Sequence, residues 1–459
     1  MKKRIYSAAM AATLATLLAA CTSTSSSTGS GASAQAPGAS ALKNAKGVTN
    51  ITFWHGVSAV NGEELTKLVN QFNAQNKGSI HVTATFQGGY ADLLAKYTAS
   101  IRDKSSPTVL LASDIGTGFL TDVKQSIPAA DMAKANPGDL DLADLVPAAR
   151  NYYTVNGKQQ AVPMNVSTPV LWVNRDLLNK AGISDSSLST IDGVVAAAKT
   201  LASKTGQKGF TMPDDDWYFE QMTANSGQEF CSPDNGRAGK APTKITINTG
   251  AAKEAITKIA SLYTGGVAVD GSPDGSTAIS AFQAGKVGMM LSSSGTLSIL
   301  KTGTKFKYDA LPFPTGASNS KAGPVIGGAA LWLSATASKA QQVAGWKFES
   351  YLASAAAQEQ FSQATGYIPT NTAVAGTASQ KAFLAANPTY AKFPKLVGNT
   401  PVNSVTSGCV TGAMTAIRTA NVGEMQAIFA GTKSVGSALD SAAAKAETAL
   451  KQYSEQLGK

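Results

Sequence analysis

The chain has 459 residues, with 39 Lys and Arg against 29 Asp and Glu, so its formal net charge is +10 at neutral pH. This length predicts two or three domain-sized units, and a hydrophobic content of 43% excludes a wholly disordered chain. Only 15% of residues are charged and the basic residues form no dense run, so the positive surplus does not indicate a nucleic-acid partner. The two histidines, His55 and His81, leave little material for general-base catalysis or a histidine-rich metal site. Both are predicted in strands, and no cofactor or metal is predicted.

The N-terminus has the layout of a secretory signal. A basic start precedes an apolar stretch, and Leu-Ala-Ala-Cys closes the segment at residues 18–21. This ending resembles a bacterial lipobox, which implies a signal peptide of residues 1–20 and lipidation of Cys21. An ordinary signal cleaved at the same place is the alternative. The Ser, Thr, Gly and Ala that follow predict a linker over 21–46, with the folded body starting near Val48.

Two further cysteines remain in the mature chain. In an oxidising compartment two remaining thiols often pair, so Cys231 and Cys409 are candidates for a disulfide. The alternative is two buried free thiols, because the sequence does not fix the separation of their Cα atoms. The pairing therefore stays open at this point.

The first part of the folded body alternates between strand and helix patterns. Residues 51–56 predict a strand, and apolar residues recur at helical spacing over 63–75. Residues 80–86 alternate like a strand, residues 93–101 form an amphipathic helix pattern, and a proline precedes the apolar strand 108–113. This order of elements is typical of a parallel α/β sheet.

A second α/β pattern begins in the middle of the chain. Residues 167–178 predict a strand that runs into a helix, while 287–295 and 327–334 resemble strands and most of 336–459 has helical composition. A late return of strands predicts two lobes that are connected more than once, with a ligand cleft at the carboxyl ends of the strands. The predicted boundaries are 47–160 and about 287–340 for lobe 1, and about 161–286 and 341–459 for lobe 2.

Seven segments resemble a known family. They are ITFWHG at 51–56, FNAQNKG at 72–78, FQGGYADLLAKY at 86–97, STPVLWVNRDLLNKAGI at 167–183, LSSSGTL at 291–297, VIGGAALWL at 325–333 and TGYIPT at 365–370. Together they resemble the bacterial extracellular solute-binding proteins of ABC importers, family 1, which includes the glycerol-3-phosphate-binding (Ugp-type) and sugar-binding proteins. The resemblance runs from about residue 50 to 455.

The resemblance implies a type II periplasmic-binding-protein-like fold, in which two α/β lobes are joined by a multi-crossing hinge around a central cleft. It also implies an extracytoplasmic, membrane-anchored lipoprotein that acts as a monomer. Such a protein captures a small polar solute, here a sugar or a glycerol phosphate derivative, and delivers it to the permease subunits in the membrane.

The ligand contacts of the family carry over to a set of polar, aromatic and glycine positions. They are Tyr90, Asp114, Ser167, Trp217, Ser293, Ser294, Gly327, Gly328 and Tyr367. A carboxylate such as Asp114 accepts hydrogen bonds from vicinal hydroxyls, although it also suits the cap of the next helix. The indole of Trp217 suits the C–H face of a sugar or glycerol, and a packing role is the alternative for Tyr90.

The remaining contacts depend on backbone groups as well as side chains. Ser293 and Ser294 stand between a strand and a predicted helix, where hydroxyls and free N–H groups bind anions or hydroxyls; helix capping is the alternative. Gly327 and Gly328 permit close approach of the backbone to a ligand.

Two positions depart from the family pattern. Asp214 stands where the family has a second cleft tryptophan, and Val410 stands where the family has an arginine. A guanidinium holds phosphate by paired hydrogen bonds, so its loss predicts a neutral polyol or sugar, or a phosphodiester held by serines and backbone amides.

Two other classes of protein compete with this interpretation. An extracellular glycosidase would use two carboxylates, such as Asp114 and Asp214. The sequence carries none of the common hydrolase motifs, so an enzyme is not predicted. A lipid-anchored adhesin or scaffold would not need the polar residues at the strand ends.

Overall fold

A computed structural model describes residues 36–316 and 319–458, so the predicted signal peptide and Cys21 lie outside the described residues. The strands are β1 (Thr49–His55), β2 (Ile80–Phe86), β3 (Val109–Ser113), β4 (Ser126–Ile127), β5 (Thr154–Val155), β6 (Lys158–Gln159), β7 (Val162–Ser167), β8 (Pro169–Asn174), β9 (Lys208–Met212), β10 (Cys231–Ser232), β11 (Lys244–Ile245), β12 (Ala268–Asp270), β13 (Val287–Ser293), β14 (Tyr308–Pro312) and β15 (Gly327–Ser334).

The helices are α1 (Ser40–Lys43), α2 (Ala59–Gln75), α3 (Tyr90–Arg102), α4 (Thr117–Asp122), α5 (Ala129–Ala135), α6 (Pro147–Tyr152), α7 (Arg175–Ala181), α8 (Ile191–Thr205), α9 (Trp217–Ala224), α10 (Gly250–Thr264), α11 (Ser276–Gln283), α12 (Leu297–Gly303), α13 (Lys339–Leu352), α14 (Ala355–Thr365), α15 (Ala378–Ala386), α16 (Lys392–Gly398), α17 (Met414–Phe429) and α18 (Val435–Gln456).

Lobe 1 is built on a sheet with the strand order β2-β1-β3-β15-β4, in which β7 also pairs with β15. Strands β1, β2 and β3 are parallel, whereas β15 runs antiparallel to β3, β4 and β7. Alternating burial along β1 and β2 explains why the sequence pattern of these strands was readable. The predicted run of β1, α2, β2, α3 and β3 is confirmed, and both histidines lie in strands.

Lobe 2 is built on a second sheet with the strand order β12-β9-β13-β8-β14. Strand β9 is parallel to β12 and β13, and β8 is antiparallel to β13 and β14. One face carries a core to which α8, α10, α17 and α18 contribute, and the other face packs against α11, α12 and α16. The mixed α/β architecture in two lobes agrees with the predicted fold class.

The predicted lobe boundaries are wrong in three places. Strand β13 pairs with β8 and β9 and so belongs to lobe 2, whereas the prediction placed it in lobe 1. Residues of α13 and α14 share the core of lobe 1 with β1 and β3, and β7 pairs with β15, so these elements belong to lobe 1. Strand β13 is apolar and almost wholly buried, so its pattern shows a strand without showing which sheet it joins. The chain therefore crosses between lobes after β7, after β14 and after α14.

The predicted linker is also partly wrong. From Ala36 onward the chain is folded against lobe 1, where Leu42 packs on the core and the Asn136 Nδ2 donates to the Pro37 carbonyl at 3.0 Å. The small and polar residues of this segment predict a linker, but its apolar residues Ala36 and Leu42 pack against the core of lobe 1. Within the described ranges, no helix has the length and hydropathy needed to cross a bilayer.

The cysteine question is resolved by a disulfide between Cys231 and Cys409, whose Cα atoms are 5.7 Å apart. It links β10 to the segment that leads into α17 and closes a sequence separation of 178 residues.

Candidate functional site

The predicted site residues meet where the two lobes face each other. Tyr90 opens α3 in lobe 1, and its hydroxyl accepts a hydrogen bond from the Asn165 Nδ2 at 3.1 Å. Tyr367, which follows α14, has Asn165 and Asp114 as neighbours, and burial raises the pKa of its hydroxyl. A Cβ placed on Gly295 of lobe 2 would lie 3.3 Å from the Tyr367 ring, so this tyrosine reaches the other lobe. Asn165 was not predicted.

Trp217 is packed against the glycine pair of β15 where the two lobes meet. Trp217 is 8% exposed. A Cβ on Gly327 would lie 2.9 Å from the indole Cζ2 and 3.1 Å from the Ser167 Oγ. Glycine at this position therefore lets α9 of lobe 2 rest against β15 of lobe 1. Gly328 is required for a second reason: its φ is 122°, and a Cβ there would lie 1.8 Å from the Asn165 carbonyl oxygen.

The two serines after β13 have different surroundings. Ser294 is fully buried, and its Oγ accepts from the Thr168 N–H at 3.1 Å while its own N–H donates to the Thr168 carbonyl at 2.8 Å. Ser294 thus joins β13 to the crossing between the lobes. Ser293 is half-buried, and its Oγ accepts from the Gly295 N–H at 3.1 Å. This bond is the local capping that the sequence left open as an alternative.

One arginine and four acidic residues lie close together where lobe 2 meets Asp114 of lobe 1. We call this group the Arg418 cluster; its members are Asp114, Asp215, Asp216, Glu220 and Arg418. The Arg418 Nη2 donates to the Glu220 Oε2 at 3.0 Å and its Nη1 donates to the Asp215 Oδ1 at 3.3 Å. The Asp216 Oδ1 accepts from the Asn421 Nδ2 at 2.8 Å, and Asp114 faces Arg418 from lobe 1.

Burial dominates the protonation of this cluster. Burial raises the pKa of Asp114 to about 7, with Arg418 opposing the shift and Glu220 adding to it. Burial likewise raises the pKa of Asp216 to about 8 against the effects of Arg418 and Asn421. Burial lowers the pKa of Arg418, but the carboxylates, Glu220 first, raise it above its usual value. The cluster therefore carries a charge that changes between about pH 6 and pH 9.

The structure places an arginine near the cleft although position 410 is a valine. Val410 is buried beside Cys409, but Arg418 lies eight residues further on, in the first turns of α17. Its guanidinium meets α9 from lobe 2 and Asp114 from lobe 1. The expectation of a neutral ligand rests on position 410 alone, whereas α17 brings a guanidinium to Asp114 from position 418.

The prediction that Asp214 lines the cleft is not supported by its surroundings. Asp214 is fully buried, its N–H donates to the Ser272 carbonyl at 3.0 Å, and its side chain neighbours Asp270 and Gln426 within lobe 2. Burial, with Asp270 as the next cause, raises its pKa to about 7. Asp114 instead has Arg418 and Glu220 as its charged neighbours, so the carboxylate pair of a glycosidase is not brought together.

Several buried polar atoms in and around the site residues lack a hydrogen-bond partner within the described part of the chain. They are the Asn165 Oδ1, Trp217 Nε1, Tyr153 hydroxyl, Asp216 Oδ2 and Arg418 Nε. Tyr153 was not predicted, and it neighbours both Asp114 and Tyr90. Buried polar groups normally find a partner in protein, water or ligand, so this mixture of donors and acceptors suits a solute rich in hydroxyls.

A groove of about 660 Å³ lies outside the cleft, between α2 and the edge strand β2, and both histidines line it. The Asn73 amide already bonds the free edge of this strand, donating to the Val82 carbonyl at 2.9 Å and accepting from its N–H at 2.8 Å. The groove belongs to lobe 1 alone, whereas both lobes contribute polar groups to the cleft.

Two α/β lobes, three crossings between them and a polar, aromatic cleft define a hinged solute-binding protein. A family model described as bacterial extracellular solute-binding protein matches residues 67–392. The sn-glycerol-3-phosphate-binding periplasmic protein UgpB of Escherichia coli is 28% identical over 432 residues, which cover 92% of this chain and 97% of that protein. This chain therefore belongs to the bacterial extracellular solute-binding proteins, and it binds a solute for an ABC importer.

Solved structures share the fold. UgpB from Mycobacterium tuberculosis, in complex with glycerophosphocholine, matches with a TM-score of 0.74 at 20% identity and covers 88% of this chain and 98% of its own. The GacH receptor of Streptomyces glaucescens, studied unliganded and with acarbose, matches with a TM-score of 0.71 at 22% identity and covers 90% and 99%.

Proposed function

We propose that the solute is a small polyhydroxylated molecule, a glycerol phosphate derivative or a carbohydrate, held between the lobes. The observation that carries the proposal is that Tyr90, Asn165 and Tyr367 lie together and adjoin the Arg418 cluster through Asp114. Amide and phenol groups exchange hydrogen bonds with hydroxyls, while Trp217 offers an apolar face to C–H groups. The named ligands of the relatives, sn-glycerol 3-phosphate and glycerophosphocholine, support the glycerol phosphate class.

Arg418 decides how an anionic group would be bound. The Asp215 side chain is 47% exposed and its bond to the guanidinium is the longer of the two, so a ligand oxyanion can replace it. Glu220 is buried and remains in place. A phosphodiester, with one negative charge, is therefore accommodated more easily than a phosphate dianion beside the carboxylates of Asp215 and Glu220.

A neutral oligosaccharide is the second candidate. It is favoured because Arg418 is already bonded to two carboxylates, Asp215 and Glu220, and carboxylates accept hydrogen bonds from sugar hydroxyls and repel added phosphate. The two candidates predict opposite responses to the charge of the ligand, so a ligand panel separates them.

The panel consists of sn-glycerol 3-phosphate, glycerophosphocholine and maltose, tested by thermal shift and calorimetry on the purified protein. The ligand that binds should stabilise the protein by about 2.7 kcal/mol at a concentration one hundred times its Kd. The expected order under this proposal has glycerophosphocholine first. Binding of maltose alone would favour the neutral candidate, and formation of any product would contradict a binding role.

Tyr90→Phe should weaken binding of the panel ligand about 3- to 10-fold, because the variant loses one hydroxyl in the cleft while keeping the ring. Tyr351→Phe is the matched control, since its hydroxyl donates to a Gln71 side chain outside the cleft at 3.1 Å. Calorimetric Kd values and melting temperatures for both variants check the prediction. Equal loss of affinity in the two variants would place Tyr90 in a packing role only.

We further propose that lipid on Cys21 anchors the protein to the outer face of the cell membrane, where it delivers its load to permease subunits. The support is the Leu-Ala-Ala-Cys ending at residues 18–21. Cys21→Ala should release the protein into the soluble fraction, and mass spectrometry of the wild-type N-terminal peptide should show acylation. An unmodified N-terminal peptide in a membrane-bound protein would contradict the anchor.

A further inference from the structure

Glu220 connects the cleft arginine to the backbone of another segment. This residue of α9 is buried, and its Oε2 accepts from the Arg418 Nη2 at 3.0 Å. Its Oε1 accepts from the Cys409 N–H at 3.0 Å. One carboxylate thus orients a guanidinium on one side and is itself oriented by a backbone amide on the other.

The Cys409 amide is fixed by its neighbours along the chain. The side chain of Cys409 is bonded to Cys231, and the next residue, Val410, donates its N–H to the Asn235 carbonyl at 2.9 Å. The Asn235 Oδ1 in turn accepts from the Cys231 N–H at 2.8 Å. The chain segments around Cys231 and Cys409 are therefore held together by the disulfide and by hydrogen bonds.

Arg237 bonds the segment before Cys409 to lobe 1. This buried guanidinium donates to the Gly408 carbonyl at 2.8 Å, and also to the carbonyls of Tyr152 at 2.8 Å and Thr154 at 3.2 Å. Burial lowers its pKa to about 10, so it stays charged at neutral pH. Through Arg237, the segment before α17 is therefore hydrogen-bonded to residues of both lobes.

We propose that Glu220 is a positioning residue: held by the disulfide-fixed amide of Cys409, it sets the orientation of Arg418 and offsets its charge, and thereby sets which ligand charge the cleft accepts. The proposal deepens the proposed function and rests on Arg418 facing the solute. The other partner of Arg418, Asp215, is half-exposed, so Glu220 supplies the only buried carboxylate bonded to this guanidinium among the described residues.

The first test does not need a ligand. In protein with ¹⁵N-labelled arginine, the Arg418 side-chain signals are assigned by their loss in Arg418→Lys. Wild type should show separate Nη signals, because two carboxylates restrict rotation of the guanidinium, and Glu220→Gln should average them. Glu424→Gln is the matched control: Glu424 is equally buried on α17 but pairs with Lys433 at 2.7 Å and Lys445 at 2.6 Å. Unchanged Arg418 signals in Glu220→Gln, or equal changes in the control, would overturn the proposal.

A second variant covers the case in which Glu220→Gln does not fold. Cys231→Ala/Cys409→Ala frees the amide that holds Glu220, so the Arg418 Nη signals should broaden or merge in this variant as well. Retained, separate signals in a folded disulfide-free protein would show that the disulfide does not contribute to the positioning.

The ligand panel supplies the selectivity test. Because Glu220→Gln removes a negative charge 3.0 Å from the guanidinium, the affinity for sn-glycerol 3-phosphate relative to maltose should rise about tenfold. A ratio that stays constant would overturn the selectivity role. If wild type and variant bind no panel ligand, the proposed ligand class fails, while the NMR signals still decide whether Glu220 positions Arg418.

Discussion

Replacing both Cys231 and Cys409 by Ala is expected to lower the free energy of unfolding by about 5 kcal/mol, near the upper end of measured disulfide effects. The bond spans a sequence separation of 178 residues, so its removal restores a large amount of conformational freedom to the unfolded chain. Since the two cysteines join β10 to the segment before α17, the loss should fall mainly on the stability of lobe 2.

Guanidinium denaturation of the oxidised wild type, the reduced wild type and the double variant checks this expectation. Circular dichroism follows the unfolding of the whole chain. Variants that keep only Trp217 in lobe 2 or only Trp346 in the core of lobe 1 report the unfolding of each lobe by fluorescence. The reduced wild type is the matched control, because it lacks the bond and keeps both side chains. An unchanged transition midpoint in both proteins would contradict the expected stabilisation.

The strands and helices of the first half could be predicted because each carries its own periodic pattern and its own stop. Strand β1 and helix α2 are separated by a short break, and glycines precede α3. Strand order is different in kind. The two most buried late strands, β13 and β15, have nearly the same apolar pattern, yet they join different sheets. Pairing is decided by contacts distant in the chain, which a local pattern does not contain.

The cleft shows the same division between local and distant information. The family resemblance points to Gly327 and Gly328, and the structure adds a local reason for each: a Cβ on Gly327 would press on Trp217, and Gly328 has a positive φ. Asn165 gives a weaker signal, because it is a single amide side chain in the wholly buried strand β7. The acidic run at 214–216 was misleading because its side chains diverge: Asp214 turns toward Asp270, whereas the Asp215 Oδ1 accepts from the Trp217 N–H at 2.9 Å.

Arg418→Met is expected to lower the free energy of unfolding by about 3–5 kcal/mol at pH 8 and to abolish binding of any anionic panel ligand. The Arg418 side chain is 12% exposed, and its loss leaves the buried carboxylate of Glu220 without its cation and removes the charge that lowers the Asp216 pKa. Methionine fills much of the same space, so the effect reports charge rather than a cavity.

The deficit should depend on pH in a defined direction. In wild type the pKa values of Asp114 and Asp216 are already raised to about 7 and about 8, above the usual 3.8 of an unfolded aspartate. Between the unfolded and the folded pKa values, the folded state binds more protons than the unfolded state. The free energy of unfolding therefore falls as the pH rises from about 4 to about 8. Arg418 lowers both pKa values, so its removal raises them further and makes the fall steeper.

Urea denaturation of Arg418→Met between pH 5 and pH 9 tests this dependence, with Arg175→Met as the matched control. Arg175 pairs with Asp185 and Asp309, and the Asp309 pKa is lowered rather than raised, so losing this arginine should cost less and should not favour acidic pH. Adding Glu220→Gln to Arg418→Met should recover part of the stability, because it removes one of the uncompensated charges. A deficit that is constant over the pH range would show that Arg418 stabilises the cleft by packing, since an electrostatic role requires the loss to diminish as the carboxyls are protonated.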